Sequence, residues 1–410
     1  MPSHRNPASA PYSAPYFESK RGPKQKVDSS GQFCPRESCL YYGWLGRGNL
    51  QANGHPNNGR WRQFHCVWCH KYFSESLDTI FYRRQLPVTT ICQVVASLAE
   101  GQDIQQVARV FTIDPNTVLA CLKQAAGHSE AVCQFLFHQL QLSQVQMDEL
   151  YALLNQIQRG ELSASEAAAR LTRPHRWVWV AMDPVSKLLV AVVVGDRSLA
   201  MAQTLVHAVV GVLAPGVVPL FLTDGLRHYT TALLTHFGQW VAVPSRCAQG
   251  PQPKPRWLPI PDLLYAQVKK RRRRKRVVGI SQQVIFGAPE RIKAVLARSG
   301  WQINTAFVER LNLTFRHHLS TLARRGIGLA KTEAGLIRQA QLWRAYYNFC
   351  VPHSTLRLRL PEPIPTRGSG SAKKWQPCTP AMAAGITNQV WTMQQLLLFR
   401  VPPWRQEVAL

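Results

Sequence analysis

The sequence predicts an α/β chain: a mixed sheet flanked by helices, preceded by two small modules. Three observations carry this expectation. Apolar β-rich runs alternate with helical stretches from about 143 to 245. Two short cysteine pairs stand before residue 70. Between them and the β-rich region, residues 86 to 135 break into three short amphipathic segments.

The composition sets bounds on this plan. The 410 residues suffice for two or three domains, and 46% are hydrophobic, so most of the chain should be globular. Lys and Arg number 49 against 22 Asp and Glu, a formal net charge of +27. Such a charge repels itself unless a polyanion is the usual partner. Nucleic acid is the first expectation and an anionic membrane surface the second. No apolar run approaches the roughly 20 residues that span a bilayer, so no spanning segment is expected, and with nucleic acid preferred no membrane partner is assigned. The opening "MPSHRNPASAPYSAPYFESKRGPKQK" has no apolar core and does not read as a signal peptide. Residues 1–33 read as a disordered basic N-terminus.

Residues 34–85 hold the first module. "CPRESC" supplies Cys34 and Cys39, and "CVWC" supplies Cys66 and Cys69, with 26 residues between the pairs. Two such pairs can give four thiolates to one tetrahedral zinc, which would hold a module with little core. Four cysteine ligands leave no open position, so the zinc would be structural. Four unrelated buried cysteines are the alternative, and His65 or His70 could replace a ligand. "GRWRQF" sets Arg60 and Arg62 beside Trp61 and Phe64, a mixture suited to a nucleic-acid surface.

Residues 86–135 read as three helices. Ile91, Val94, Val95 and Leu98 share a face, as do Ile104, Val107, Ala108 and Phe111, then Val118, Cys121, Leu122 and Ala125. Gly101 makes the first turn, and Asp114–Pro115 caps the third helix. The pattern fits a helix-turn-helix, with Asn116, Thr117 and Lys123 facing DNA. Ordinary three-helix packing is the competing reading.

The sheet strands are "VQMDELYALL", "RWVWVAMDP", "KLLVAVVVGD", then, after a helix near 198–213, "VPLFLTDG", and after a helix near 227–236, "WVAVPS". A basic insertion follows at 247–300, then helices over about 305–350. Residues 351–410 read as a linker, Pro/Gly/Ser/Lys-rich at 362–378, and a tail. Three acids stand out. Asp148 has apolar neighbours on both sides; Asp224 ends an apolar strand closed by glycine; Glu309 lies in "NTAFVERLNLTFRHHL" among arginines. Glu309, Asn312 and Arg316 share one helix face. Strand-end acids sit at clefts. Three convergent carboxylates could hold two Mg²⁺ ions for phosphodiester chemistry. Separately, each acid could be only a cap or turn residue. Asp183 in "MDPVSK" reads as a hairpin turn, Asp196 as a helix cap, and Glu149 as a structural residue on the opposite face from Asp148.

"DELY" at 148, "WVWVAMDP" at 177, "LTDG" at 222 and "NTAFVERLNLTFRHHLSTLARR" at 304 together resemble a DDE transposase of the insertion-sequence-one type, with an RNase H-like core. "CPRESC…CVWCHKYF" resembles that family's N-terminal zinc ribbon, and the likeness runs from about 34 to 400. The resemblance implies an RNase H-like catalytic domain over 140–350. It puts the first acid on strand one (Asp148), the second just after strand four (Asp224) and the third on a following helix (Glu309). Two Mg²⁺ (or Mn²⁺) ions would sit there, beside the structural Zn²⁺. Asn312 would position DNA or a ligand, and Arg316 would steady a phosphate. The run "KKRRRRKR", residues Lys269, Lys270, Arg271, Arg272, Arg273, Arg274, Lys275 and Arg276, would contact the DNA backbone as a loop. Partners would be double-stranded DNA, as element ends and target, and further copies of the chain assembled on it. The setting would be the prokaryotic cytoplasm, at the nucleoid. The sequence departs from the family pattern in a long 155–176 connection and in the 247–300 segment. A catalytically inactive, site-specific DNA-binding protein is the alternative; retention of all three acids favours the enzyme.

Overall fold

The computed structural model describes residues 8–9, 14–17, 27–152, 165, 176–242, 254–274, 276–319, 322, 332–366 and 370–406. Nearly all of the 155–176 connection, residues 247–253, Lys275, the side chain of Arg272 and much of 1–33 therefore lie outside the described residues. The chain divides into two compact units, residues 1–137 with 341–410, and residues 138–340.

The first unit opens with β1 (Ala8–Ser9) and a three-stranded antiparallel sheet of β2 (Leu50–Ala52), β3 (Gln63–Cys66) and β4 (Tyr72–Ser74). Its core is small: Cys34, Cys39, Tyr41, Trp44, Leu50, Phe64, Cys66 and Phe73. Phe64 is thus core, not a surface aromatic. Ala14 is buried in the same cluster, and the Phe17 N–H donates to the Arg47 carbonyl at 2.7 Å. The expectation of disorder over 1–33 fails for residues 14–17.

Three helices follow: α1 (Val88–Ala99), α2 (Ile104–Phe111) and α3 (Pro115–Leu136). The expected faces are buried at Ile91, Val94, Val95, Leu98, Val107, Ala108, Val118, Leu122 and Ala125. Gly101 turns the chain at φ +95°. Asp103 and Gln106 cap α2 reciprocally, and Asp114 accepts the Asn116 N–H at 2.8 Å with Pro115 in the first turn of α3.

The second unit is built on a six-stranded mixed sheet. Its strands are β5 (Gln144–Ala152), β6 (Arg176–Met182), β7 (Leu189–Gly195), β8 (Leu220–Thr223), and, beyond a separate hairpin of β9 (Gly238–Val241) with β10 (Arg256–Pro259), β11 (Leu264–Arg273) and β12 (Arg276–Phe286). The order is β12-β11-β8-β5-β6-β7; β5, β8 and β11 run parallel, and the other pairings are antiparallel. Two expectations are corrected. The described start of "WVAVPS", Trp240–Val241, pairs with β10 and, among the described residues, does not join the six-stranded sheet. The segment read as an insertion supplies two strands of the sheet, because "LYAQV" (264–268) is the missing parallel partner of β8. The basic run is therefore a hairpin end of β11 and β12, not a loop.

β8 is buried at all four positions and β6 at its last five, as a sheet covered on both faces requires. Helices α4 (Leu199–Val210) and α5 (His228–His236) cover one face, α7 (Ala306–His318) packs on β5 and β6, and α6 (Pro289–Ala297) packs on β11. Ser198, not Asp196, caps α4; its hydroxyl accepts the Met201 N–H, while Asp196 faces Arg176 at 3.4 Å. Asp183 is a turn residue as read: its carboxylate accepts the Val185 and Ser186 N–H groups at 3.1 and 2.9 Å.

Helix α8 (Glu333–Phe349) carries the boundary between the units. The described residues from 351 to 406 hold regular elements. β13 (Leu358–Ile364) pairs with β14 (Lys373–Gln376) across much of the expected linker. After α9 (Pro380–Ala383), α10 (Met393–Leu398) packs on α1 and α3, and β15 (Trp404–Arg405) pairs with β1. Arg400, 1% exposed, donates to the Phe33 carbonyl at 2.6 Å and to Asp78 at 2.8 Å.

Candidate active site and metal centres

The acids come together through strand register. Met147 on β5 pairs with Thr223, the last residue of β8, so Asp148 and Asp224 follow side by side. Asp224 accepts the Leu226 N–H at 2.8 Å, which fixes its carboxylate in the turn. Gly225 leaves room there for the stem of Lys269, whose Cγ would lie 3.1 Å from an added Cβ.

Alternation along β5 sends neighbouring side chains to opposite faces. Gln146 and Asp148 face α7. The Gln146 amide donates to the Asn304 carbonyl at 3.0 Å and accepts the Val308 N–H at 3.1 Å, clamping the start of that helix to the strand. Asn312 Nδ2 donates to Asp148 Oδ2 at 2.6 Å. Glu149 faces the other way, accepting from Arg197 Nε at 3.0 Å and from the Tyr229 hydroxyl at 3.1 Å. Its carboxylate nevertheless comes close to the other two: carboxylate oxygens of Asp148, Glu149 and Asp224 lie within 4.8 Å of one another. The adjacency "DE" is the only sequence signal that could have singled out Glu149.

Glu309 does not join that close group. Its two oxygens both accept from Lys270, and Oε1 also accepts from the Thr305 hydroxyl at 2.7 Å. It nevertheless lines the same cleft, of about 890 Å³, with Asp148, Glu149, Asp224, Asn312 and Arg316. Arg197, Arg227, Lys269 and Lys270 complete a basic wall. Every acid and both α7 residues proposed from sequence thus border one cavity, with Glu309 held to one side by a lysine.

Burial, then repulsion from Glu149, Asp224 and Glu309, pushes the Asp148 carboxyl up from 3.8 to about 7, against the opposing hydrogen bond from the Glu149 N–H. Burial also raises Glu149, with Asp224 adding to it and Arg197 opposing. A raised carboxyl binds its proton more tightly when folded. Its stabilisation is complete below about pH 4 and lost as pH rises through about 7, on the order of 4 kcal/mol. In metal-free buffer, the stability of Asp148→Asn relative to wild type should therefore rise from pH 4 to 8; paired denaturant titrations at several pH values check this. A constant difference would refute it.

This donor set suits a hard divalent cation. Carboxylate oxygens are the preferred ligands of Mg²⁺ and Mn²⁺. Among the described residues the buried Asn312 Oδ1 has no hydrogen-bond partner, leaving an amide oxygen available at the site. Among the described residues the second ligand group is Cys34, Cys39, Cys66 and Cys69, again within 4.8 Å of one another. Cys34 and Cys69 sulfurs are 3.5 Å apart, and Cys39 and Cys66 3.9 Å; thiolates around zinc at about 2.3 Å stand about 3.8 Å apart. Asn49 Nδ2 and the Tyr41 N–H point at Cys66 and Cys39 sulfurs, each at 3.4 Å, as groups that stabilise thiolate do. His65 and His70 stay outside the group, stacked on each other at 5.8 Å.

Of the residues expected to meet DNA, Asn116 and Lys123 are exposed and Thr117 is half-buried. Lys269 donates to Gln283 at 2.7 Å, and Arg271, Arg273, Arg274 and Arg276 are exposed along the hairpin end. Among the described residues no helix is long and apolar enough to cross a membrane.

No protein-family model matches this chain, and no curated protein matches it. Among solved structures it is similar to a Mos1 strand transfer complex, 13% identical over 38% of this chain and 57% of that one, with a TM-score of 0.16. It is also similar to a Mos1 transposase paired-end complex with the left transposon end, 14% identical over 39% and 60%, TM-score 0.16. A Mos1 mariner paired end complex with Mn is 13% identical over 37% and 57%, TM-score 0.15. The chain spans under two thirds of the length of each of these proteins. Likenesses at this level leave the fold and the chemistry to be argued from this chain's own residues.

Proposed function

We propose that this chain is a DDE-type DNA transposase with an RNase H-like core, which cuts at the ends of an insertion sequence and joins them to target DNA. One observation carries the reading: Asp148, Asp224 and Glu309 border a single basic-walled cleft. They do so from the first strand, the end of the fourth and a following helix of a sheet ordered 3-2-1-4-5-6, counting β5 as the first strand. Divalent cations held by these acids, two Mg²⁺ or Mn²⁺ ions, would supply Lewis-acid activation of the nucleophile and stabilise the leaving oxygen. The chain's residues do the rest. Asn312 orients Asp148, Arg197 and Tyr229 hold Glu149 beneath the site, and Arg316 takes a phosphate. In cleavage, water adds to phosphorus and the 3′-oxygen leaves with a proton. In joining, that 3′-hydroxyl attacks a target phosphorus, forming one phosphodiester as another breaks.

The four-cysteine module is read as a zinc ribbon and α1–α3 as a helix-turn-helix. Asn116, Thr117 and Lys123 would meet element ends, with further copies of the chain assembling on the DNA. The test is cleavage and joining of an element-end duplex with Mg²⁺. Tight, metal-loaded complexes that never cut would instead establish the second reading, a site-specific DNA-binding protein without catalysis. On that second reading the Lys270–Glu309 ion pair would persist with DNA bound and keep one acid away from the others.

The basic hairpin is assigned to backbone contact. Replacing Arg271, Arg273 and Arg274 by Ala should weaken binding to all duplexes alike. It should also flatten the log–log salt slope by up to about 0.9 per lost phosphate contact. An unchanged slope would remove the hairpin from the interface. Asp183→Asn, confined to a turn, should keep cleavage activity.

A further inference from the structure

We infer that Lys270 is a DNA-operated latch on Glu309. It holds that carboxylate out of the acid site until a phosphate draws the ammonium away, so that divalent cation and DNA bind cooperatively. This rests on the transposase reading of the site. The observations lie on two elements. Glu309, on the first turn of α7, has both oxygens bonded to Lys270 Nζ and one to the Thr305 hydroxyl, and it stays outside the close group of Asp148, Glu149 and Asp224. Thr305 stands at the N-cap of α7 yet makes no side-chain cap; its hydroxyl serves Glu309 instead. Lys270 stands on β11 three residues beyond Gln267, the last to pair with β8, where the strand continues past the sheet as the basic hairpin.

The same lysine thus belongs to two surfaces: the cleft, and the run that would follow a DNA backbone. The ion pair is partly exposed, with side chains 26% and 41% accessible, so solvent screens it. A phosphate offers the ammonium another partner, and a divalent cation beside Asp148 and Asp224 offers Glu309 another. Each event removes the obstacle to the other. Linkage makes the effect reciprocal: whatever factor DNA adds to cation affinity, the cation adds to DNA affinity.

The test measures Mn²⁺ binding to the full chain, with and without a short uncleavable duplex of arbitrary sequence. Wild type should bind Mn²⁺ weakly alone and roughly tenfold more tightly with duplex, within the usual range of coupling. Lys270→Met should bind Mn²⁺ about as tightly without duplex as wild type does with it, and should gain little more. Lys269→Met is the control, because Lys269 lines the same cleft but bonds Gln283, not Glu309. It removes the same charge and, with duplex held at saturation, should keep the tenfold coupling whatever it costs in duplex affinity. Equal behaviour of the two variants, or duplex coupling that survives Lys270→Met, would overturn the latch. Glu309→Gln should leave weak, uncoupled Mn²⁺ binding; retained coupling there would also overturn it. Asp148→Asn separates this from the wider reading: if it leaves Mn²⁺ affinity unchanged, the acid site itself is wrong, whereas its loss beside an inert Lys270→Met condemns the latch alone.

Discussion

Glu309→Gln is expected to abolish strand cleavage and joining while leaving DNA binding intact or tighter. The substitution keeps the side chain's shape and its capacity to accept from the Thr305 hydroxyl. It removes the charge that a divalent cation requires. Asp148→Asn and Asp224→Asn should behave alike, each lowering the cleavage rate by roughly a thousandfold or more. Several kcal/mol of transition-state charge stabilisation would go, at about 1.4 kcal/mol per factor of ten. DNA affinity should not fall, because each change removes a negative charge from a cleft that must receive phosphates. Glu149→Gln is the informative fourth variant. Its carboxylate meets those of Asp148 and Asp224 more closely than Glu309 does, yet Arg197 and Tyr229 already occupy it. As a supporting group it should reduce cleavage and raise the Mg²⁺ concentration needed, without abolishing the reaction at saturating metal. Band shifts and strand cleavage on all four variants decide the matter. Full cleavage by Glu309→Gln with loss in Glu149→Gln would move the third acid from α7 to β5.

Much of this site is legible in the sequence because the acids interrupt apolar strands. Asp148 and Asp224 are visible where a buried run meets a charge, and β-strand period fixes which neighbours share their face. That Glu309, Asn312 and Arg316 share one face follows from helical period, and Glu309 as the third acid from the family resemblance. The sheet's fifth strand was hidden by charge. "LYAQVKKRRR" begins as a buried strand, with Leu264, Tyr265, Ala266 and Val268 at 5% exposure or less, and ends as a solvent-facing basic hairpin, so composition averaged over 247–300 reads as an insertion. The tail was hidden by the opposite averaging. Pro, Gly, Ser and Lys dominate 362–378, but Met393, Leu396 and Leu397 are buried in α10, and that helix packs on α1 and α3, far away in sequence. Neither Glu149's approach to Asp224 nor Lys270's hold on Glu309 has a local signal. Both depend on which residues the register sets opposite one another.

Removing zinc, or one of its thiolates, should cost the first unit its cysteine module. Cys34, Cys39 and Cys66 are buried and, among the described residues, make up three of the nine buried residues of the cluster, so their thiols sit at its centre rather than at its edge. In such a module the metal's binding energy supplies most of the folding energy, about 10 kcal/mol or more for a structural zinc. Cys66 is the most informative ligand, because it joins three constraints. It is the last residue of β3, it pairs with Leu50 across the sheet, and its sulfur accepts from Asn49. Cys66→Ser keeps the size but replaces thiolate by a hydroxyl that ligates zinc poorly. Purified wild type should contain about one zinc per chain by the four-ligand rule, and the variant far less. The variant should also become protease-sensitive between 34 and 80 and lose preference for element ends, while residues 138–340 keep their fold. A zinc-free wild-type protein whose 34–80 segment resists protease would show that the four cysteines are ordinary core, held by Tyr41, Trp44, Phe64 and Phe73 alone.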